Sequence, residues 1–279
     1  MPEMLIFGLG YAASRIAERL RALGWRVTGT SRAGRAGTLA FDDEAGVRAA
    51  LATANAILSS VPPDAAGDPV LARYGAAIGA VAWCGYLSST GVYGDTGGAW
   101  VDESAALGGR RAERVAADQA WLGMGAHVFR LPGIYGPGRS ALDRVAEGRA
   151  HRIDLPAQVF SRVHVDDIVS GVIAALGGPA GAYNLADDAP CGQNDVIDFA
   201  CALLGVAPPP LQSMAAAGLS PMAMGFYAEN RRVANGKAKR MLGWHPRYRD
   251  YRAGLLALSA ITSPAIASAD PATASPDQR

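Results

Sequence analysis

Two groups of residues in this chain have types and spacings that suit chemistry. The first is Gly8-x-Gly10-x-x-Ala13, set directly behind the apolar run 4–7. It opens a stretch where Ala13, Ile16, Ala17, Leu20 and Leu23 recur at helical spacing. Gly8 suits a tight turn, Gly10 lets backbone approach a pyrophosphate, and Ala13 lets helix and strand pack closely. The helix start adds unpaired N–H groups and a partial positive charge, with Leu9, Tyr11 and Ala12 completing the cradle. The plainer alternative is a glycine turn kept for packing. The second group is Arg110, Arg114 and Asp118, four residues apart in an alanine-rich stretch, 109–122, and so on one helical face. They form either an exposed ladder, Arg114 with Asp118 contributing ~0.3 kcal/mol, or cations turned toward a pocket.

The residues after the second strand choose between dinucleotides. NAD sites place an acidic side chain about 20 residues beyond the glycine loop to hold the ribose. Here the segment reads Thr28-Gly29-Thr30-Ser31-Arg32, without a carboxylate. Ser31 and Arg32 suit a 2′-phosphate, with Arg35 near enough to help, so the expectation is NADP rather than NAD. A solvated Arg32 is the alternative. Asp42, behind a short third strand, either contacts adenine or is an ordinary loop acid.

These groups need a frame that brings strand ends together. Apolar runs at 4–7, 25–30, 56–60, 80–88 and 126–131 alternate with helical patterns at 11–23, 44–53, 69–79 and 109–123. That rhythm predicts an α/β, Rossmann-type, doubly wound parallel sheet with right-handed crossovers. Beyond 139 the rhythm loosens. A helix over 166–176 capped by Asp166 and Asp167, a strand at 181–186, a helix near 192–204 and a helical stretch near 235–260 are expected. The division is a dinucleotide domain over 1–165, with sheet elements free to recur later, a small C-terminal substrate lobe over 166–261, and a disordered tail over 262–279. Ser60, Val61, Ser88, Pro132 and Ile134, at or just past strand ends, join the expected cofactor positions.

Composition narrows the partners. Half of the residues are apolar and the formal net charge is +1, so no strong field points to nucleic acid or to an acidic membrane. Cys84, Cys191 and Cys201 show no C-x-x-C spacing and read as free thiols in a reducing compartment. The N-terminal apolar run is short and lacks a basic flank, which reads as a strand and not as a leader; a cytoplasmic location is expected. No metal-ligand spacing and no G-x-S-x-G elbow occurs.

The segments LSSTGVYGDTGGAWVDE (87–103), FRLPGIYGPG (129–138), SRVHVDDIVSGV (161–172), AYNLAD (182–187) and ANGKAKRMLGWHP (234–246) follow one another in order. Together they resemble extended short-chain dehydrogenases/reductases, the NAD-dependent epimerase/dehydratase superfamily, over residues 3–260. P-P-D-x-x-G-D-P at 62–69 is similar to an atypical branch. The resemblance implies a Tyr-x-x-x-Lys pair with an acidic residue four positions on. Setting Asp118 there puts Arg114 at the lysine position and Arg110 at the tyrosine position. Lys237 and Lys239 are the only lysines, and Val233 and Asn235 stand four residues before them, so the pair is missing from the chain.

Arginine stays protonated, so Arg110 is no acid/base but suits a substrate carboxylate or phosphate, while Arg114 suits ribose hydroxyls. Thr90 holds the position of the hydroxyl that polarises a substrate carbonyl. Tyr135 is the candidate proton carrier, with Arg110 and Arg114 expected to lower its pKa. Tyr93 is expected to pack beneath its loop and His164 to brace one, while Arg139 and Arg162 are either anion ligands or solvated. The implied function is an NADP-dependent oxidoreductase or epimerase acting on a hydroxyl or carbonyl carbon of a small polar, anionic or sugar-like molecule. The alternative is an NADP(H)-binding sensor with reduced turnover. A homodimer follows from the resemblance alone.

Overall fold

The structure, a computed structural model, describes residues 1–35, 37–219 and 221–262. From 263 onward the expected tail lies outside the described residues. Seven strands form the main sheet: β1 (Glu3–Phe7), β2 (Arg26–Ser31), β3 (Thr38–Ala40), β4 (Ala56–Ser59), β5 (Trp83–Ser89), β6 (His127–Leu131) and β7 (Gly181–Asn184). All pairs are parallel, in the order β3-β2-β1-β4-β5-β6-β7. The chain winds outward in one direction from β1 through β3, then returns to β4 on the other side of β1. Strand ends there leave a crevice at the carboxyl edge, where such sheets take ligands.

The helices cover both faces because each carries an apolar stripe. α1 (Tyr11–Ala22) buries Ile16, Ala17 and Leu20 beside Ile168 and Val172 of α6 (Val165–Ala175). On the other face α2 (Glu44–Thr53), α3 (Pro69–Ile78) and α4 (Ala112–Gly123) bury Val47, Leu51, Val70, Tyr74, Ile78 and Trp121. α5 (Ala141–Ala146), α7 (Gln193–Leu204) and α10 (Tyr251–Thr262) enclose a third apolar cluster around Tyr135 and Tyr251, a lobe beside the sheet that draws on residues ahead of 166. α6 and β7 belong to the sheet layer, so sheet elements do recur after 165.

Several boundaries shift for local reasons. The helix expected over 109–123 starts only at Ala112. The stretch near 235–260 divides into α9 (Gly236–Leu242) and α10, because Gly243 takes a left-handed conformation at φ +61° and ends α9. α8 (Pro221–Tyr227) precedes α9 in the chain. α6 is capped by His164, whose Nδ1 accepts from the Asp166 N–H at 3.2 Å. His164 therefore braces a helix end, and Asp167 does not cap it. Asp167 instead accepts from the backbone N–H groups of Arg247 (2.7 Å) and Tyr248 (3.1 Å), fastening the C-terminal segment. The cysteines are free, Cys84 and Cys201 buried and Cys191 half-buried. Among the described residues no helix is long and apolar enough to cross a membrane.

Candidate active site

The first part of the carboxyl edge is built from polar groups left open. Gly8 holds φ +80°, and a β-carbon on it would meet Val61 at 3.0 Å and the Ser60 hydroxyl at 3.2 Å. Gly10 differs. Its φ of −86° suits any residue, and a β-carbon there would meet nothing within 4 Å. Backbone and neighbours leave this position free, and the space above it opens onto the start of α1. No side chain caps that helix, whose first intrahelical bond runs from Ser14 to Gly10. The N–H groups of Tyr11 and Ala12 are thus available to an anion. Leu9 packs over Gly29 so closely that no β-carbon fits on that glycine.

Beside this cradle, Ser31 builds a turn. Its hydroxyl accepts from the Arg35 N–H at 3.0 Å and pairs with the Thr38 hydroxyl at 2.9 Å. Thr38 donates in turn to the Arg35 carbonyl at 2.7 Å, so Ser31's own proton goes to Thr38. The turn presents Arg32 and Arg35, both exposed, and neither guanidinium has a partner among the described residues. Asp42 forms an ion pair with Arg73, whose guanidinium lies over Phe41 and Tyr74. Ser60 donates its hydroxyl to the Gly8 carbonyl and so supports the loop from below. Tyr11 donates to the Pro137 carbonyl at 3.1 Å, with Arg139 over its ring at 5.6 Å. Pro132 and Ile134 are half-buried on either side of exposed Gly133.

The second part, at the ends of β5 to β7, is built from polar groups that satisfy one another. Arg130, 2% exposed, forks onto Asp118, 0% exposed, through Nε (3.1 Å) and Nη2 (2.7 Å). Ser88 donates to the same carboxylate at 2.7 Å and so belongs to the wall. Arg130 Nη1 donates to the Tyr93 hydroxyl (3.0 Å), which donates to Asn184 Oδ1 (2.8 Å). Glu103 accepts from the Asn184 N–H at 2.7 Å, and burial raises its pKa. Tyr93 packs beneath its loop as expected. Asp118 belongs to Arg130, which removes the exposed Arg114–Asp118 ladder.

The residues expected to do chemistry separate. Thr90 is 4% exposed, and its hydroxyl has no partner among the described residues. Arg114, half-buried in the first turn of α4, likewise has a guanidinium without a hydrogen bond or ion pair among them. Arg110 stands before α4, not on its face. It is bound through Nε to Glu229 at 2.9 Å and through Nη2 to the Gly225 carbonyl at 2.8 Å. Tyr135 has surroundings opposite to those expected. Burial pushes its pKa up, and Asp187, Asp167 and Asp250 push it further, opposed by Arg162 and not by Arg110 or Arg114. Its hydroxyl lies against Gly254, within the lobe's apolar cluster. Cation-assisted ionisation of Tyr135 is therefore corrected. Arg162 is neither solvated nor open to a ligand. It is 8% exposed and donates to the carbonyls of Phe160 and Cys191 and to Gln193.

No family model matches the chain. A solved structure of a conserved, functionally unknown protein from Silicibacter pomeroyi DSS is 42% identical with a TM-score of 0.83, over 94% of this chain and 99% of that one. The two belong to one family. The fold is that of the NAD-dependent epimerase/dehydratase superfamily. A candidate NAD-dependent epimerase/dehydratase from Methylobacillus flagellatus matches with a TM-score of 0.72 at 23% identity, over 94% of this chain and 98% of that one. A human epimerase family protein, SDR39U1, solved with NADPH, matches at 0.73 and 16%, over 92% of this chain and 99% of that one. In sequence, a 3-diazoavenalumate denitrifying reductase from Streptomyces sp is 34% identical over 155 residues, 51% of this chain and 49% of the reductase. That likeness spans about half of the reductase's length.

Sequence reading missed Arg130, Asn184 and Glu229. Arg130 had a signal: a charge inside the apolar run 126–131 has to find a buried partner. Asn184 and Glu229 had none, since their partners lie 91 and 119 positions away in the chain.

Proposed function

We propose that this chain binds NADP(H) at the carboxyl edge between β1 and β4 and exchanges hydride with a hydroxyl or carbonyl carbon of a small polar substrate. The observation that carries the reading is the open, uncapped start of α1 above Gly10. The N–H groups at that start have no side-chain cap, and a phosphate-like group suits them because it brings several acceptors and a negative charge to the positive end of the helix. Arg32 and Arg35 are the groups for a 2′-phosphate, because both are exposed and unpaired at the end of β2. The NADPH-bound human protein of the same fold agrees with that choice, as does the name of the Streptomyces reductase with a redox role.

When bound, the nicotinamide supplies the hydride. This chain's own residues orient and polarise. Thr90, buried and unpartnered, donates its proton to the substrate oxygen. Arg114, one turn into α4, hydrogen-bonds ribose hydroxyls and lends positive charge where the oxygen gains negative charge. No ionisable side chain among those expected here replaces the phenol of the Tyr-x-x-x-Lys pair, so in reduction water returns to Thr90 the proton it has given, and in oxidation the proton leaves by the same route to water. The Arg110 tether to Glu229 favours a second reading, a cofactor-binding sensor with little turnover.

The test is a fluorescence titration with NADPH and NADH, followed by NADPH oxidation over aldehydes, ketones and keto-sugars. Tight NADPH binding with turnover that falls at least ~100-fold in Thr90→Ala is expected. Binding without turnover on any member selects the sensor, and binding of neither cofactor removes both readings.

A further inference from the structure

Arg110 and Arg231 hold one carboxylate between them. Glu229 Oε1 accepts from Arg110 Nε at 2.9 Å, and Oε2 accepts from Arg231 Nη1 at 2.6 Å. The carboxylate is the enclosed partner, with its side chain 10% exposed against 55% for Arg110. The route to this pair from solvent therefore runs along the Arg110 guanidinium.

The backbone next to Glu229 is riveted. The Asn230 N–H donates to Asp95 at 2.8 Å, and its carbonyl accepts from Thr96 (3.1 Å) and Gly98 (2.9 Å). Its side-chain amide spans the Ala157 carbonyl (2.9 Å) and the Val159 N–H (3.2 Å). Gln158 donates to the Glu229 carbonyl at 2.8 Å. Among the described residues the Glu229 side chain, by contrast, is held only by the two guanidinium groups.

The two cations are seated on the turn Thr90–Tyr93 that carries the candidate catalytic hydroxyl. Gly109 donates to the Val92 carbonyl at 2.9 Å and lies against Gly91 with no room for a β-carbon. Arg231 Nη1 also donates to the Gly94 carbonyl at 2.7 Å. Arg110 Nη1 and Arg231 Nε and Nη2 have no hydrogen-bond partner among the described residues, so the pair has donors to spare.

We propose that Arg110 and Arg231 form a binding site for the carboxylate of an acidic substrate, and that Glu229 fills it until that substrate arrives. The word substrate rests on the function proposed above; the site itself does not. A carboxylate is the class because the resident group is planar, with one oxygen on each guanidinium. The incoming group takes over both contacts while Glu229 rotates into water, leaving the charge at the two arginines unchanged.

The experiment is calorimetric titration of the full chain, with and without NADPH, using malonate, dimethyl malonate and inorganic phosphate. Glu229→Gln removes the resident charge, so malonate should bind about tenfold tighter than to the native chain, as expected for freeing one charge-assisted contact. Arg110→Gln should abolish malonate binding in either background, and the neutral diester should not bind. An unchanged malonate affinity in Glu229→Gln, or binding that survives Arg110→Gln, overturns the proposal. Phosphate binding tighter than malonate overturns the carboxylate assignment. Should Glu229→Gln fail to fold, Glu229→Asp reads the same competition, because its carboxylate falls one methylene short of Arg110; there a two- to threefold tightening is expected and no change refutes. Failure of the cofactor reading shows separately, as absence of NADPH binding while malonate binding persists.

Discussion

The two parts of the carboxyl edge spend their polar groups in opposite ways. Around α1 and the end of β2, N–H donors, Arg32 and Arg35 have no protein partner among the described residues. At the ends of β5 to β7, Ser88, Asp118, Arg130, Tyr93 and Asn184 bond one another in an unbroken chain. An uncapped helix start beside open space is satisfied by water or by a ligand, and in the function proposed above the first part is the receptor. A buried carboxylate gripped by a guanidinium is satisfied internally, so the second part is a wall. In the same proposal Thr90 and Arg114, whose side chains make no hydrogen bond among the described residues, face the substrate.

Variants that act on only one part test this division. The largest effect is expected from Asp118→Ala, which leaves Arg130 charged and buried without its partner. It should cost about 3–5 kcal/mol of stability, read as the urea midpoint. A loss below ~1 kcal/mol would mean that water reaches the wall.

Next comes Asp187, just past β7 and 3% exposed, with Oδ2 lacking a partner. Burial pushes its carboxyl up to about 8, against the pull of Arg162. The folded chain therefore keeps a proton that the unfolded chain loses near pH 4, and the stability tied to it is lost as pH rises through about 8. The native chain should lose a few kcal/mol between about pH 5 and 8.5, and Asp187→Asn should flatten that slope. Equal slopes in both proteins would show an ordinary carboxyl.

Gly10→Val touches the receptor alone. Its β-carbon enters open space at an ordinary φ, so the melting temperature should hold within a few degrees while NADPH binding falls about 100-fold, or ~2.7 kcal/mol. Intact binding would place the dinucleotide elsewhere. The smallest effect is expected from Arg32→Ala, about tenfold weaker NADPH with NADH unchanged within twofold. Equal losses for both cofactors would remove the 2′-phosphate from this corner.

The sheet and the glycine turn were legible because their signals are local. Gly8, Gly10 and Ala13 lie within six positions, and β1 and β4 are short apolar runs followed by turn residues. The helix stripe at Ile16, Ala17 and Leu20 likewise reads directly as the buried face of α1. The wall was legible only in part. Thr90 and Arg114 stand in segments that sequence reading singled out, whereas the settings of Arg110, Tyr135 and Asp118 came out differently. Arg110 and Asp118 fit one helical face by spacing, but α4 begins at Ala112 and Asp118 turns inward to Arg130. Tyr135 ends a separate short strand, Gly133–Tyr135, paired with Arg162–His164 outside the main sheet, and its phenol lies against Gly254 in the lobe, with Asp187, Asp167 and Asp250 near enough to raise its pKa.

By itself the sequence determined the alternation of strands and helices, the glycine turn and the absence of a Tyr-x-x-x-Lys pair, since each depends on neighbours a few positions apart. Tertiary structure alone decided which charges pair. Arg130 with Asp118, Arg110 with Glu229, and Asp42 with Arg73 are matched by proximity in space, and burial strengthens or weakens each match. The same arginine that could be a ligand, a latch or a solvated stripe becomes one of them only when the folded chain brings a carboxylate within 3 Å or leaves the guanidinium in water.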